Sequence, residues 1–195
     1  MGKIVYLMGK SGAGKDTIYK QVLENKEIRL NKIIPYTTRP IRAGETDGVE
    51  YFFTDEAGFL ELKEKGKLIE DRAYDTCMGT WRYFTVKDER LDLEHEDYLM
   101  IGTLESFIKT REFFGEEKLV PVMIELDDGI RLQRALDREK AQDHPKYNEM
   151  CRRFLADEED FSEEKLKAAG ITKKFVNNDL QECLQEIMLY LKENL

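Results

Sequence analysis

Cysteine is scarce in this chain. The three that occur, Cys77, Cys151 and Cys183, are odd in number and widely spaced over 195 residues. That pattern argues against a disulfide framework and against a cysteine-based zinc site. Histidine is scarcer still: His95 and His144 stand alone, and both are expected at the surface with no catalytic role. No apolar run approaches the ~18 residues needed to cross a bilayer. The opening stretch from Met1 to Met8 is apolar for too few residues to act as a signal peptide, so the expected setting is cytoplasmic, with no membrane partner. Internal repeats and low-complexity linkers are also missing. Positive charge is in deficit, with a formal net charge of −9. Such a surface repels polyanions, which argues against nucleic acid as a partner. A small anionic ligand fits only where arginines and lysines gather locally.

What is present suits one folded domain. Hydrophobic residues make up 41% of the chain, enough for a full core despite 36% charged residues. Lys3-Ile-Val-Tyr-Leu-Met8 reads as a strand buried on both faces, and 15–25 as a helix with Ile18, Val22 and Leu23 on one side. Further strands are expected at 49–53, 68–70, 81–86, 98–101, 119–126 and 174–177. Helices are expected at 55–65 (closed by Gly66), 104–114, 128–141, 147–168 and 179–193. Alternating strands and helices predict an α/β fold with a mostly parallel central sheet flanked by helices.

The strongest local signal lies between the first strand and the first helix. Gly9-Lys10-Ser11-Gly12-Ala13-Gly14-Lys15 matches G-x-x-x-x-G-K. Glycines let the backbone curl until its N–H groups point inward at phosphate oxygens. The helix N-terminus adds positive potential and Lys15 adds a point charge. ATP is therefore the expected ligand. Asp16 stands where such loops usually carry Ser or Thr, and Thr17 follows. Magnesium accepts one or two carboxylates alongside phosphate oxygens, so Asp16 and Thr17 are the candidate Mg²⁺ ligands.

A second anion site is suggested by Thr37-Thr38-Arg39-Pro40-Ile41-Arg42-Ala43-Gly44-Glu45, followed by Asp47-Gly48-Val49-Glu50-Tyr51. Arg39 and Arg42 offer planar forks suited to a phosphate dianion, and Tyr51 adds a hydroxyl. This run resembles the T-T-R-x-x-R-x-G-E and D/N-G-x-x-Y hallmark of guanylate kinases. Weaker resemblance runs through Glu70, Gly79-Thr80, Arg138, Arg153 and Val176-Asn177-Asn178-Asp179. The resemblance implies a P-loop kinase fold with a small β-rich insert and a helical lid. It places the core at 1–34, 87–137 and 170–195, the nucleoside monophosphate insert at about 35–86 and the lid at about 138–169. It also implies transfer of a phosphoryl group from ATP to GMP or dGMP. Arg39, Arg42 and Tyr51 would hold the GMP phosphate, and Glu70 and Thr80 would read guanine. Asn177 would lie near adenine. Arg138 and Arg153 would close over the phosphates, with Arg134 a weaker candidate.

Two features of the family are missing here. No acid occurs in Leu99-Met100-Ile101-Gly102-Thr103, and Met78 replaces the tyrosine expected before Gly79. These departures leave strict guanine selection open, and with it a P-loop kinase of another nucleotide or small phosphorylated metabolite. An inactive interaction module built on the same fold is a further reading, opposed by the intact Gly9, Gly14 and Lys15. Oligomeric state, monomer or homodimer, stays open.

Overall fold

The computed structural model describes every residue except 1, 43, 77 and 78. Five strands form a wholly parallel sheet in the order β2-β7-β1-β8-β9. They are β1 (Ile4–Gly9), β2 (Asn31–Lys32), β7 (Tyr98–Gly102), β8 (Leu119–Glu125) and β9 (Lys174–Val176). A strand with neighbours on both sides and helices on both faces has no solvent side, so β1 is buried at every residue. Its side chains alternate. Val5 and Leu7 pack with α1 (Lys15–Glu24) and α7 (Leu180–Asn194), through Ile18, Val22, Ile187 and Leu191. Ile4, Tyr6 and Met8 face the other way, toward Leu104 and Phe107 of α3 (Leu104–Phe114) and toward Phe161 and Leu166. The two-sided core follows from this period-two alternation.

A second, four-stranded sheet is inserted between β2 and β7, in the order β4-β3-β6-β5. It comprises β3 (Tyr36–Thr37), β4 (Phe52–Phe53), β5 (Leu68–Thr76) and β6 (Gly79–Val86). Helix α2 (Glu56–Glu64) covers it, its N-terminus capped by Asp55, which accepts the Gly58 N–H. Phe59, Phe84 and Val86 form the insert's own small core.

Three expected elements need correction. The strand at 49–53 is only Phe52–Phe53, because Gly48 to Glu50 turn, with Gly48 at φ 76° and its N–H given to the Tyr51 carbonyl. The strand at 68–70 continues to Thr76, since β5 and β6 pair residue by residue out to Thr76 and Gly79. The single helix at 147–168 is two helices, α5 (Tyr147–Asp160) and α6 (Glu163–Ala168). The break occurs where Phe161 turns into the core and Ser162 adopts an extended conformation at ψ 150°. Helix α4 (Asp128–Lys140) precedes this pair. No helix among the described residues is long and apolar enough to cross a membrane.

Candidate functional site

In a parallel sheet, ligands gather beyond the carboxyl ends of the strands. The glycine loop leaves the carboxyl end of β1, and the insert leaves the carboxyl end of β2. The insert also touches the carboxyl end of β7, where Arg72 Nη1 lies 3.5 Å from Thr103 Oγ1. Both proposed anion sites therefore stand at one end of the main sheet.

The loop is held from several sides. Gly9, Gly12 and Gly14 have φ of 151°, 82° and 93°, and Gly14 forms the N-cap of α1. A Cβ on Gly14 would come within 2.3 Å of Asn177 Nδ2. That amide donates to the Ala13 carbonyl at 2.8 Å, and Asn177 is 4% exposed. Its amide nitrogen is thus tied to the loop itself, at the position where the resemblance implied adenine. Ala13 is fully buried. Lys15 donates from Nζ to the Lys10 carbonyl at 3.0 Å. Burial draws the pKa of Lys15 down, against the pull of Asp16 and Asp157. A partly desolvated ammonium interacts strongly with any anion that reaches it.

Sequence reading passed over the residue that braces this loop from α4. Arg131 has no exposed side-chain surface, and its Nε donates to the Ser11 carbonyl at 3.0 Å. Its charge is met by Asp128, by Glu158 at 2.8 Å and by Asp157 at 3.5 Å, and its guanidinium lies over the ring of Phe154. Helix α5 also reaches the loop directly, since Asp157 Oδ2 accepts the Ser11 N–H at 2.7 Å and Glu158 accepts from Lys10. The lid candidates are less engaged. Arg138 is exposed, although its charge is felt at Lys15. Arg153 is exposed and paired with Glu149 at 2.8 Å. Arg134 Nη1 donates to the Gly12 carbonyl at 3.3 Å.

On the insert, Arg39 is 3% exposed and gripped by both oxygens of Glu45, at 2.7 and 3.0 Å. Its Nε is buried without a hydrogen-bond partner. Tyr83 lies close enough to act on this guanidinium, and a water or a ligand oxygen would complete its donors. The ring of Tyr51 lies 5.5 Å from the guanidinium and packs edge-on against Tyr83. Arg42 is exposed and gives its backbone N–H to Glu45.

The base-reading residues are rearranged relative to expectation. Glu70 has no exposed side-chain surface, and its carboxylate accepts from Thr85 Oγ1 at 2.8 Å and from Arg72 Nε at 3.1 Å. A register shift between Leu68 and Glu70 sets Glu70 opposite Thr85. Thr80 sits elsewhere. It pairs with Asp75 near the far end of the hairpin, is exposed, and donates to the Asp75 carboxylate at 2.8 Å. Five residues of strand separate it from Thr85, roughly 16 Å at the usual rise. The hydroxyl beside Glu70 is therefore Thr85, and Tyr83 joins Tyr51 beside Arg39. Met78, where a tyrosine was expected, lies outside the described residues.

Asp16 and Thr17 are exposed in the first turn of α1, and neither side chain makes a hydrogen bond among the described residues. Free oxygens at that place fit a Mg²⁺ that completes its shell from phosphate and water. Among the described residues no cluster of three or more His, Cys, Asp or Glu could hold a metal unaided.

A parallel sheet, a glycine loop running into a helix and a β-rich insert at the same sheet end define a P-loop nucleotide-binding fold. Comparison with known proteins narrows this. Residues 1–89 match the guanylate kinase family model. The guanylate kinase of Caldanaerobacter subterraneus subsp. tengcongensis is 36% identical over 135 residues, covering 67% of this chain and 64% of that protein. The guanylate kinase of Clostridioides difficile is 46% identical over 81 residues, covering 40% of this chain and 38% of its own. The crystal structure of guanylate kinase from Anaplasma phagocytophilum superposes with a TM-score of 0.69 at 21% identity, over 98% of this chain and 85% of that one. The chain is thus similar in sequence to guanylate kinases over its first half and more, and it shares their fold. It aligns with less than two thirds of the length of either curated relative.

Proposed function

We propose that the chain transfers the γ-phosphoryl group of ATP to the phosphate of GMP or dGMP. One observation carries this reading: two built cationic sites share one end of the main sheet. One is the Lys15 loop. The other is the buried Arg39, with an unmet Nε beside Tyr51. A phosphoryl donor and an anionic acceptor need that arrangement, because phosphoryl transfer depends on alignment and charge neutralisation.

The loop N–H groups and Lys15 hold the donor phosphates. Arg39, Arg42 and Tyr51, with Tyr83, hold the acceptor phosphate. Its oxygen is already anionic, so the protein need supply no nucleophile and no general base. Asp16 and Thr17 would hold Mg²⁺, which neutralises the developing phosphate charge when bound with ATP. Arg138 and Arg153 would add charge from the 138–169 segment on closure, Arg153 after leaving Glu149. Closure also excludes water and limits wasteful hydrolysis. The protein works as a cytoplasmic monomer or homodimer in this reading.

A coupled ADP-release assay across GMP, dGMP, AMP, UMP and CMP tests it, with Lys15→Ala as control. Turnover of GMP or dGMP above the other acceptors, lost in Lys15→Ala, is expected. ATP binding without turnover of any acceptor would instead support an inactive module. One observation keeps a different acceptor open: Glu70, the expected guanine reader, is enclosed and already paired with Arg72.

A further inference from the structure

A carboxylate that reads guanine unaided must face the ligand with both oxygens, to take the N1–H and the 2-amino group together. Glu70 does not. One oxygen accepts from Thr85 and the other from Arg72 Nε, and no side-chain surface of Glu70 is open to a ligand. The exposed member of the pair is Arg72, with 16% of its side chain accessible and none of Glu70. Beyond Nε, the Arg72 fork is nearly free. Nη1 has only the long 3.5 Å approach to Thr103, and Nη2 makes no hydrogen bond among the described residues. The ligand-facing chemistry of this corner is therefore that of a donor fork backed by a buried acid.

The other wall explains why no second acid stands here. The carboxyl end of β7 is Gly102-Thr103, and a Cβ on Gly102 would fall 2.1 Å from the Tyr6 hydroxyl. Any side chain at that position collides with a buried ring. Thr103 is itself committed, its hydroxyl accepting the Ser106 N–H as the N-cap of α3. The corner thus has donors to offer and no free carboxylate for an exocyclic amine.

Resting on the kinase reading above, we infer that Arg72 is a specificity-determining residue that reads the O6/N7 edge of a 6-oxopurine. IMP is therefore accepted nearly as well as GMP, and AMP is refused. Guanine and hypoxanthine both set two acceptors, O6 and N7, side by side, and an arginine fork takes that pair in bidentate fashion. Adenine puts an amino donor next to N7, against a guanidinium that has only donors. GMP and IMP differ solely by the 2-amino group. Losing one neutral hydrogen bond to that group is worth about tenfold or less. Presenting a donor to a donor fork in an enclosed site costs on the order of a hundredfold or more.

The test is steady-state kcat/KM for GMP, IMP and AMP at saturating ATP, in the parent protein, Arg72→Met and Arg72→Lys. Melting curves accompany each variant. Expected for the parent are IMP within about tenfold of GMP and AMP at least about a hundredfold below both. Arg72→Met should lower GMP and IMP together by about 10- to 100-fold, mainly through KM, and raise AMP, whose amino group no longer meets a donor fork, with partial recovery of GMP and IMP in Arg72→Lys. A purely structural Arg72, present only to neutralise Glu70, would depress all three acceptors equally, and that result overturns the inference. If Arg72→Met does not fold, the paired Glu70→Gln/Arg72→Met variant removes the buried charge as well. That variant should lose the distinction between IMP and AMP, and retention of it counts against the inference. A parent preference for GMP over IMP beyond a hundredfold overturns this inference alone. Absence of turnover on every acceptor overturns the kinase reading with it.

Discussion

The Asp157 carboxylate accepts the Ser11 amide N–H at 2.7 Å, inside the loop built for phosphate. A carboxylate there is a weak copy of the ligand. It takes one inward N–H, and its charge is felt at Lys15. Triphosphate entering the loop must displace this contact and tolerate the negative charge beside it. Asp157→Asn keeps the shape and removes the charge. One like charge at about 4 Å through water is worth ~1 kcal/mol, so ATP should bind the variant about fivefold more tightly. Calorimetry at low salt measures this. Unchanged or weaker ATP affinity would show that Asp157 is no competitor for the loop.

Arg131 makes the same neighbourhood fragile. Its guanidinium is wholly buried and balanced by Asp128, Asp157 and Glu158. The three acids keep 53%, 17% and 35% of their side-chain surface open to water, so they are not stranded outright when Arg131 is removed. Arg131→Met should destabilise the fold by ~1–3 kcal/mol, read as a lower urea midpoint at unchanged slope. A loss below ~1 kcal/mol would mean the acids are solvated enough to stand alone.

These two residues also mark where the sequence stops being readable. The strand, glycine loop and helix at the start were legible because their signals are local: a continuous apolar run, three glycines and a helical repeat. Arg39 was legible for the same reason, within one dense motif. Arg131 looked like one more charge on a polar helix, since its burial depends on α5, which is distant in sequence. The base corner misled more sharply. Gly79-Thr80 carries a family-like pair of letters, but the bulge beside Leu68 fixes which hydroxyl meets Glu70, and that is Thr85. Register is a property of two strands together. The break at Phe161 was hidden likewise, since a helical repeat does not reveal that one aromatic turns into the core.

Asn177 should prove to be a brace for the loop. Its side-chain amide is buried and bonded to the Ala13 carbonyl, and it stands against Gly14. Asn177→Ala leaves that carbonyl unmet, at a cost of about 1–3 kcal/mol in stability. The loosened loop should bind ATP roughly tenfold more weakly, since its N–H groups are no longer held in place. Wild-type ATP affinity in a destabilised Asn177→Ala would separate the fold from the loop and reject the brace.

The grip of Glu45 on Arg39 gives a dependence on pH whose sign can be worked out. The hydrogen bond from Arg39, with the backbone N–H of Arg42, holds the Glu45 carboxyl below its ordinary pKa. A folded-state pKa that is depressed means the native state favours the ionised form. The stabilisation is therefore complete above the unfolded value of about 4.3 and is lost as pH falls through the lower folded value. Glu45→Gln removes that titration. The melting temperature of the parent should exceed that of the variant at pH 7, and the gap should close below about pH 4. Salt should narrow the gap only slightly, because Arg39 is just 3% exposed and buried pairs are poorly screened. A gap that is constant from pH 7 to pH 3 would show that Glu45 acts through shape, with its charge irrelevant to Arg39.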